Sequence, residues 1–309
     1  TSSLSNVVHI SCYGFCDGEI HASVSLGTPP YSYLWSNDST STSITELCQG
    51  VYTLTVIDAN NCVTHQYQYI YEPPELLVTT QISEEIKCFG ETGSVSASAI
   101  GGTYPYSYNW SQGSTQTSLD NVSAGIYQVT VLDYNNCKTV SEIELTQPPL
   151  LEMNNIVTNM LCTGVCNGSI HTELIGGTPP YYYSWSNGSQ KANIENLCED
   201  EYELTIKDKN NCSLTRNFTI INQDYIPDLS VAASDTIIYR GQSVNLLALS
   251  SSSGYYIWDY SKFLSNIEIS NPIATPDDTT MFYVKFTDLH GCRIRDSIKI
   301  YVKEVICGD

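Results

Sequence analysis

Positive charge is scarce in this sequence. Its 309 residues hold 13 Lys and Arg against 33 Asp and Glu, and the first basic residue is Lys87. No basic stripe exists to neutralise phosphates, which excludes nucleic acid and anionic membrane surfaces as natural partners. The net charge of −20 favours solubility and, beyond that, divalent cations or basic partners. Charged residues of both signs make up 15%, below the roughly 25% of an average soluble domain. The strong helix formers are thin, and no segment sustains a helical period. No run of about 18 or more apolar residues occurs, so no membrane insertion is expected. A charged-then-apolar leader is missing at Thr1, so any signal peptide is expected to have been removed or to lie outside this sequence. Catalytic signatures are missing too. There is no Gly-x-Ser-x-Gly, no His-Glu-x-x-His and no phosphate loop, and the five His (His9, His21, His65, His171, His290) have no fixed nucleophile beside them. An enzyme is not expected.

What the sequence has in quantity is cysteine, tyrosine and repetition. Trp35, Trp110 and Trp185 are evenly spaced along the chain. Gly27-Thr28-Pro29-Pro30-Tyr31-Ser32-Tyr33 recurs around Gly102 and Gly177. A Tyr follows each Trp at one constant interval (Tyr52, Tyr127, Tyr202). A Cys follows at another (Cys62, Cys137, Cys212), closing an Asp-x-Asn-Asn-Cys turn. Such a period signals tandem modules. Tyr52, Leu54 and Val56 alternate with Thr53 and Thr55, the period-2 pattern of a half-buried strand, and Tyr127–Val131 and Tyr202–Ile206 repeat its phase. Pro73-Pro74, Pro148-Pro149 and Pro227 fall near the same point of each period and read as semi-stiff junctions.

The fold expected is all-β, an elongated, disulfide-stapled tandem array of four immunoglobulin-like β-sandwich modules at 1–74, 75–149, 150–226 and 227–309. The last is divergent, with Trp258 close to one further period beyond Trp185 and Asp288-Leu289-His290-Gly291-Cys292 echoing the turn. Trp35, Trp110, Trp185 and Trp258 are expected in the cores, each against its module's disulfide, rather than on a sugar-stacking platform. Tyr52, Tyr127 and Tyr202 sit where a tyrosine corner would lie. Tyr182 should point away from Tyr181 and Tyr183, which leaves an exposed-Tyr binding patch as an alternative. Asp58, Asp133 and Asp208 stand in turns whose oxygens suit calcium, but Asp and Asn also build tight turns on their own backbone.

Twelve Cys imply an oxidising compartment. Four per module leave three connectivities, and the repeats choose among them. Repeats 1 and 3 hold Cys12, Cys16, Cys48, Cys62 and Cys162, Cys166, Cys198, Cys212. Repeat 2 keeps only Cys88 and Cys137, with Ser123 in place of the inner cysteine. Losing a bonded pair strands no thiol, so the expected bonds are Cys12–Cys62, Cys16–Cys48, Cys88–Cys137, Cys162–Cys212 and Cys166–Cys198. Cys292 and Cys307 are left to pair with each other, or Cys307 with something beyond Asp309. A four-cysteine zinc site is the rival, disfavoured because repeat 2 would keep half its ligands.

The succession Cys88-Phe89-Gly90, Gly101-Gly102-Thr103, Trp110-Ser111-Gln112-Gly113, Gly125-Ile126-Tyr127 resembles the SprB-type repeat of Bacteroidota surface proteins. The likeness covers roughly residues 8–222, and 227–309 resembles the immunoglobulin-like module that follows in such proteins. The resemblance implies export by type IX secretion, an extracellular cell-surface location and a part in adhesion or gliding motility. Its implied partners are other domains of the same long chain and the secretion machinery, with surface glycans, proteins or copies of itself as further partners. It also implies O-glycosylation at Asp-Ser/Thr sites, which singles out Ser39, Thr236, Thr279 and Ser297. The function expected is a non-catalytic stalk or spacer without cofactor. Glycan- or protein-binding modules and a filament subunit are the alternatives.

Overall fold

The computed structural model describes residues 1–304. The chain divides into two compact units, Thr1–Pro149 and Leu150–Asp309, and each holds two β-sandwiches.

The first sandwich is built from β1 (Ser2–Val8), β2 (Gly18–Val24), β3 (Ser32–Trp35), β4 (Ser43–Leu47), β5 (Gly50–Ile57) and β6 (Val63–Ile70). One sheet has the order β1-β2-β4 and the other β3-β5-β6, with every pairing antiparallel. Alternation dictates this arrangement. Leu54 and Val56 of β5 face inward and are buried, while Thr53 points out, and Trp35 closes β3 on the inner side at 2% exposure. The inner faces meet in a core of Ile20, Trp35, Ile44, Leu54 and Ile70. Each fully buried side chain of this size contributes about 1.5–3 kcal/mol. Gly18 opens β2 because nothing larger fits: a Cβ there would lie 2.9 Å from the Leu47 carbonyl oxygen and 2.9 Å from a methyl of Ile70. Its counterparts Gly93 and Gly168 are equally crowded.

The second and third sandwiches repeat these six strands and both sheet orders, over Leu77–Leu145 and Glu152–Ile220. Their cores centre on Trp110 and Trp185. Among the described residues of the fourth, the sheets are Ser230–Ala233, Val244–Leu249, Ile273–Ala274 and Ile237–Tyr239, Arg293–Lys303, Thr280–Asp288, Gly254–Trp258. Ile237–Tyr239 runs parallel to Tyr301–Lys303. The fold is a tandem series of immunoglobulin-like sandwiches, disulfide-linked. Among the described residues, no helix is long and apolar enough to cross a membrane.

Candidate functional site

The points of chemical interest are the two poles of each sandwich. At one pole of the first, β1 ends, β6 ends and the β1–β2 turn carries Cys12 and Cys16. The Ile10 N–H donates to the Tyr71 carbonyl, and the inner disulfide Cys16–Cys48 ties the β1–β2 turn to the β4–β5 turn. Gly14 turns the chain at φ 76, a conformation glycine adopts without strain. Cys166–Cys198 is the same bond in the third sandwich.

At the opposite pole lies the Asp-x-Asn-Asn-Cys turn between β5 and β6. One Asp58 carboxylate oxygen accepts the N–H groups of Asn60 and Cys62, both at 2.9 Å, and the other accepts the Thr28 N–H at 3.0 Å. The Thr28 donor, then those of Cys62 and Asn60, hold the Asp58 carboxyl below the usual carboxylate range. Asp133 and Asp208 repeat the three bonds. These oxygens serve the backbone, and no group of three or more His, Cys, Asp or Glu able to hold a metal occurs among the described residues.

The outer cysteines correct the sequence-based pairing. Cys12 is joined to Cys137 and Cys162 to Cys292, each bond crossing from one sandwich into the next. Cys12–Cys62, Cys88–Cys137 and Cys162–Cys212 are therefore not the bonds formed, and Cys88 and Cys212 are each engaged in a disulfide. The reason is distance. Cys12 and Cys62 sit at opposite ends of strands seven and eight residues long, about 25 Å at the usual rise per residue, whereas a disulfide spans a Cα separation such as the 5.6 Å of Cys12–Cys137. Cys62 is a free thiol and exposed. The expected Cys292–Cys307 pair does not form, since Cys292 is bonded to Cys162; Cys307 lies outside the described residues.

Polar contacts dress these joints. The Ser11 N–H donates to Asp17 at 3.0 Å and the Ser11 hydroxyl donates to its second oxygen. Burial pushes the Asp17 carboxyl up, but these bonds outweigh it and hold the carboxyl below its ordinary value. Ser11, so fixed, offers its carbonyl to the Asn135 side-chain amide of the second sandwich at 2.9 Å. The Cys137 sulfur lies 3.2 Å from the same oxygen, a contact without a proton, since a disulfide sulfur has none to donate. At the other joint, Tyr225 and Ser252 hydroxyls meet at 3.0 Å, and a Cβ on Gly291 would touch the Val165 methyls at 3.4 Å.

The remaining sequence-predicted residues divide by environment. Trp35, Trp110, Trp185 and Trp258 are 1–3% exposed, and among the described residues no cysteine belongs to the core clusters that hold them. Tyr52, Tyr127 and Tyr202 donate their hydroxyls to the carbonyls of Cys48, Ser123 and Cys198 at 3.1, 2.6 and 3.2 Å, as a tyrosine corner does. Sequence reasoning missed a second tie. Tyr31, Tyr106 and Tyr181 donate to the carbonyls of Gly27, Gly101 and Gly176. It also missed the indole bonds of Trp35, Trp110 and Trp185 to the carbonyls of Ser41, Gln116 and Lys191; the fixed spacing of Trp to Ser-x-Gly or Ser-Asn turns was the available signal. Tyr182 points outward at 62% exposure. Thr236, Thr279 and Ser297 are exposed and Ser39 is half-buried.

The SprB repeat model matches at residues 4–40, 80–115 and 154–190. The chain carries three SprB repeats. In each, the matched stretch runs from the first strand, through the Cys-x-Gly turn, to just past the Trp. No curated protein matches. Among solved structures, the ICAM-5 D1-D4 ectodomain fragment is 12% identical with a TM-score of 0.43, covering 98% of this chain and 99% of that one. Invasin, a bacterial integrin-binding protein, is 9% identical with a TM-score of 0.35, covering 98% and 79%. The N-terminal eight Ig domains of Down Syndrome Cell Adhesion Molecule are 11% identical with a TM-score of 0.35; this chain covers 49% of their length and 98% of its own is covered.

Proposed function

We propose that these SprB repeats form a non-catalytic stalk or spacer in a large secreted cell-surface protein engaged in adhesion or gliding motility. The observation that carries the reading is the placement of Cys12–Cys137 and Cys162–Cys292 across the joints between successive sandwiches. An enzyme holds one cleft rigid; a chain that locks module to module covalently is organised to keep spacing and direction under load. Extracellular placement follows from bonds that persist in oxidising surroundings. Its immediate partners are then other domains of the same chain and the type IX export machinery, with O-glycans on exposed Thr236, Thr279 and Ser297.

The test is made on intact cells of the source organism. Antibodies to this chain should label the surface, protease should remove the label, and the recovered protein should resist thiol alkylation at Cys12, Cys137, Cys162 and Cys292 until reduced. A protein found inside the cell with those four cysteines reduced would end the proposal.

A further inference from the structure

Cys137 and Cys292 occupy one structural position: the end of the Asp turn at the same pole of the second and fourth sandwiches. In both, the preceding sandwich reaches across and bonds the sulfur with its first-turn cysteine, Cys12 or Cys162. Cys62 is that position in the first sandwich, and it alone is a free, exposed thiol among the described residues.

Its surroundings differ from its counterparts as an unmet joint should. Asp133 and Asp288 are 5% and 4% exposed, whereas Asp58 is half-exposed. Asn135 gives one amide hydrogen to the Ser11 carbonyl across the joint and another to its own Thr103; Asn60 reaches only its own Thr28. Beside Cys62 a cavity of about 310 Å³ opens between Val24, Leu26, Tyr31, Val56 and Val63. Leu26 and Val63 there are 68% and 53% exposed, where the second repeat has Gly101 and Lys138. At the fourth sandwich a cavity beside Asp288 and His290, on the same Asp turn, is walled by Leu161 and Tyr225 of the third.

We infer that Cys62 is the receiving half of an intermolecular or interdomain staple, and that its occupant is the Cys-x-Gly turn of another SprB-type repeat. That repeat sets its first-turn cysteine on Cys62, its preceding carbonyl on Asn60 and an apolar side chain over Leu26 and Val63. The bond forms by exchange. The Cys62 thiol and the incoming thiol together lose two electrons and two protons in making one S–S bond, and a small-molecule or protein disulfide takes them up and leaves as two thiols. The inference rests on the stapled-array reading but can fail without it.

The experiment extends the whole chain at its N terminus with a second copy of residues 75–149. That copy carries Cys137→Ser to remove its own turn thiol and Phe89→Tyr, at an exposed side chain, as a mass tag. Its Cys88 then precedes Cys62 by a separation close to the 125 of Cys12–Cys137. After oxidation in a glutathione buffer, non-reducing peptide mapping should show the Cys62 peptide linked to the tagged Cys88 peptide. Cys62 alkylation should fall at least tenfold and return when the copy carries Cys88→Ser. Cys62 left fully reactive, or linked only to glutathione or to Cys307, while Cys137 and Cys292 remain bonded, overturns the inference and leaves the array standing. If Cys137 and Cys292 are also reactive, both readings fall.

Discussion

The joint bond Cys12–Cys137 makes a quantitative claim about the first two sandwiches. In the double variant Cys12→Ser/Cys137→Ser no thiol is left behind to pair with Cys62, so the comparison isolates the bond. With both sandwiches unfolded, a cross-link between residues 125 apart restricts the chain by about 5 kcal/mol in the loop-entropy treatment. With only the first sandwich unfolded, the closed loop is about half as long. Each halving changes the figure by only about 0.6 kcal/mol, so about 4 kcal/mol remains. The Asn135–Ser11 hydrogen bond across the joint adds about 1 kcal/mol. Against a domain stability of about 5–15 kcal/mol, that loss is large. Denaturant unfolding should show it as an earlier transition for residues 1–74, with limited proteolysis confirming that the first sandwich opens first. Unfolding free energies within about 1 kcal/mol of the parent would refute the reasoning, and would mean that the inner bond Cys16–Cys48 and the core suffice alone.

Three further outcomes follow from named contacts. Asp133→Ala deprives the N–H groups of Thr103, Asn135 and Cys137 of their acceptor and should cost about 2–4 kcal/mol, read by thermal unfolding; a loss below about 0.5 kcal/mol would count against the turn account. Tyr127→Phe removes the corner bond to Ser123 without changing the packed ring and should cost about 1 kcal/mol, measured the same way. The Asp17 carboxyl is held below its ordinary value, so its charged form stabilises the native state above the unfolded carboxylate range, and that contribution is lost as pH falls through the folded value. The melting-temperature gap between the parent and Asp17→Asn should therefore be full above about pH 5 and close towards about pH 3; a gap that widens on acidification would reverse the assignment.

Strand positions, the four tryptophans and the tyrosine corners were legible because each depends on neighbours within one module. Alternation along β5 puts Leu54 and Val56 inside whatever the next module does. The inner pair Cys16–Cys48 was legible for the same reason, since both cysteines sit in turns at one pole and their loss in repeat 2 is joint. The outer bonds were not. Comparing repeats shows that Cys12, Cys88 and Cys162 are equivalent, and that Cys62, Cys137, Cys212 and Cys292 are equivalent. It cannot show whether a bond stays in its module or steps to the next, because both schemes recur with the same period. Three first-turn cysteines face four turn cysteines, and that mismatch was the available clue. Pairing within modules leaves Cys292 over, yet Cys292 is 1% exposed and Cys62 is the free one. Deciding between them takes the strand length that separates the poles, which only the fold supplies.

The step from bonds within modules to bonds between them changes what a pulling force meets. Load entering at Thr1 reaches Cys12 and crosses to Cys137 without passing through the 125 residues between. It then runs along the backbone to Cys162 and crosses to Cys292, bypassing another 130. The covalent path is thus about 55 residues, which fully extended spans about 190 Å. Bonds confined to modules would instead leave about 160 residues free, or about 560 Å, and the reduced chain would reach about 1,080 Å. Single-molecule stretching between the two ends should therefore stop at about 200 Å in oxidised protein and gain about 900 Å once reductant is added. An oxidised chain that lengthens to the full reach of module-confined bonds would refute the joint bonds and with them the spacer reading. One that stops at the shorter limit means that a sandwich of this chain can lose its fold without the chain passing that limit, because the strands bridged by each staple carry no tension.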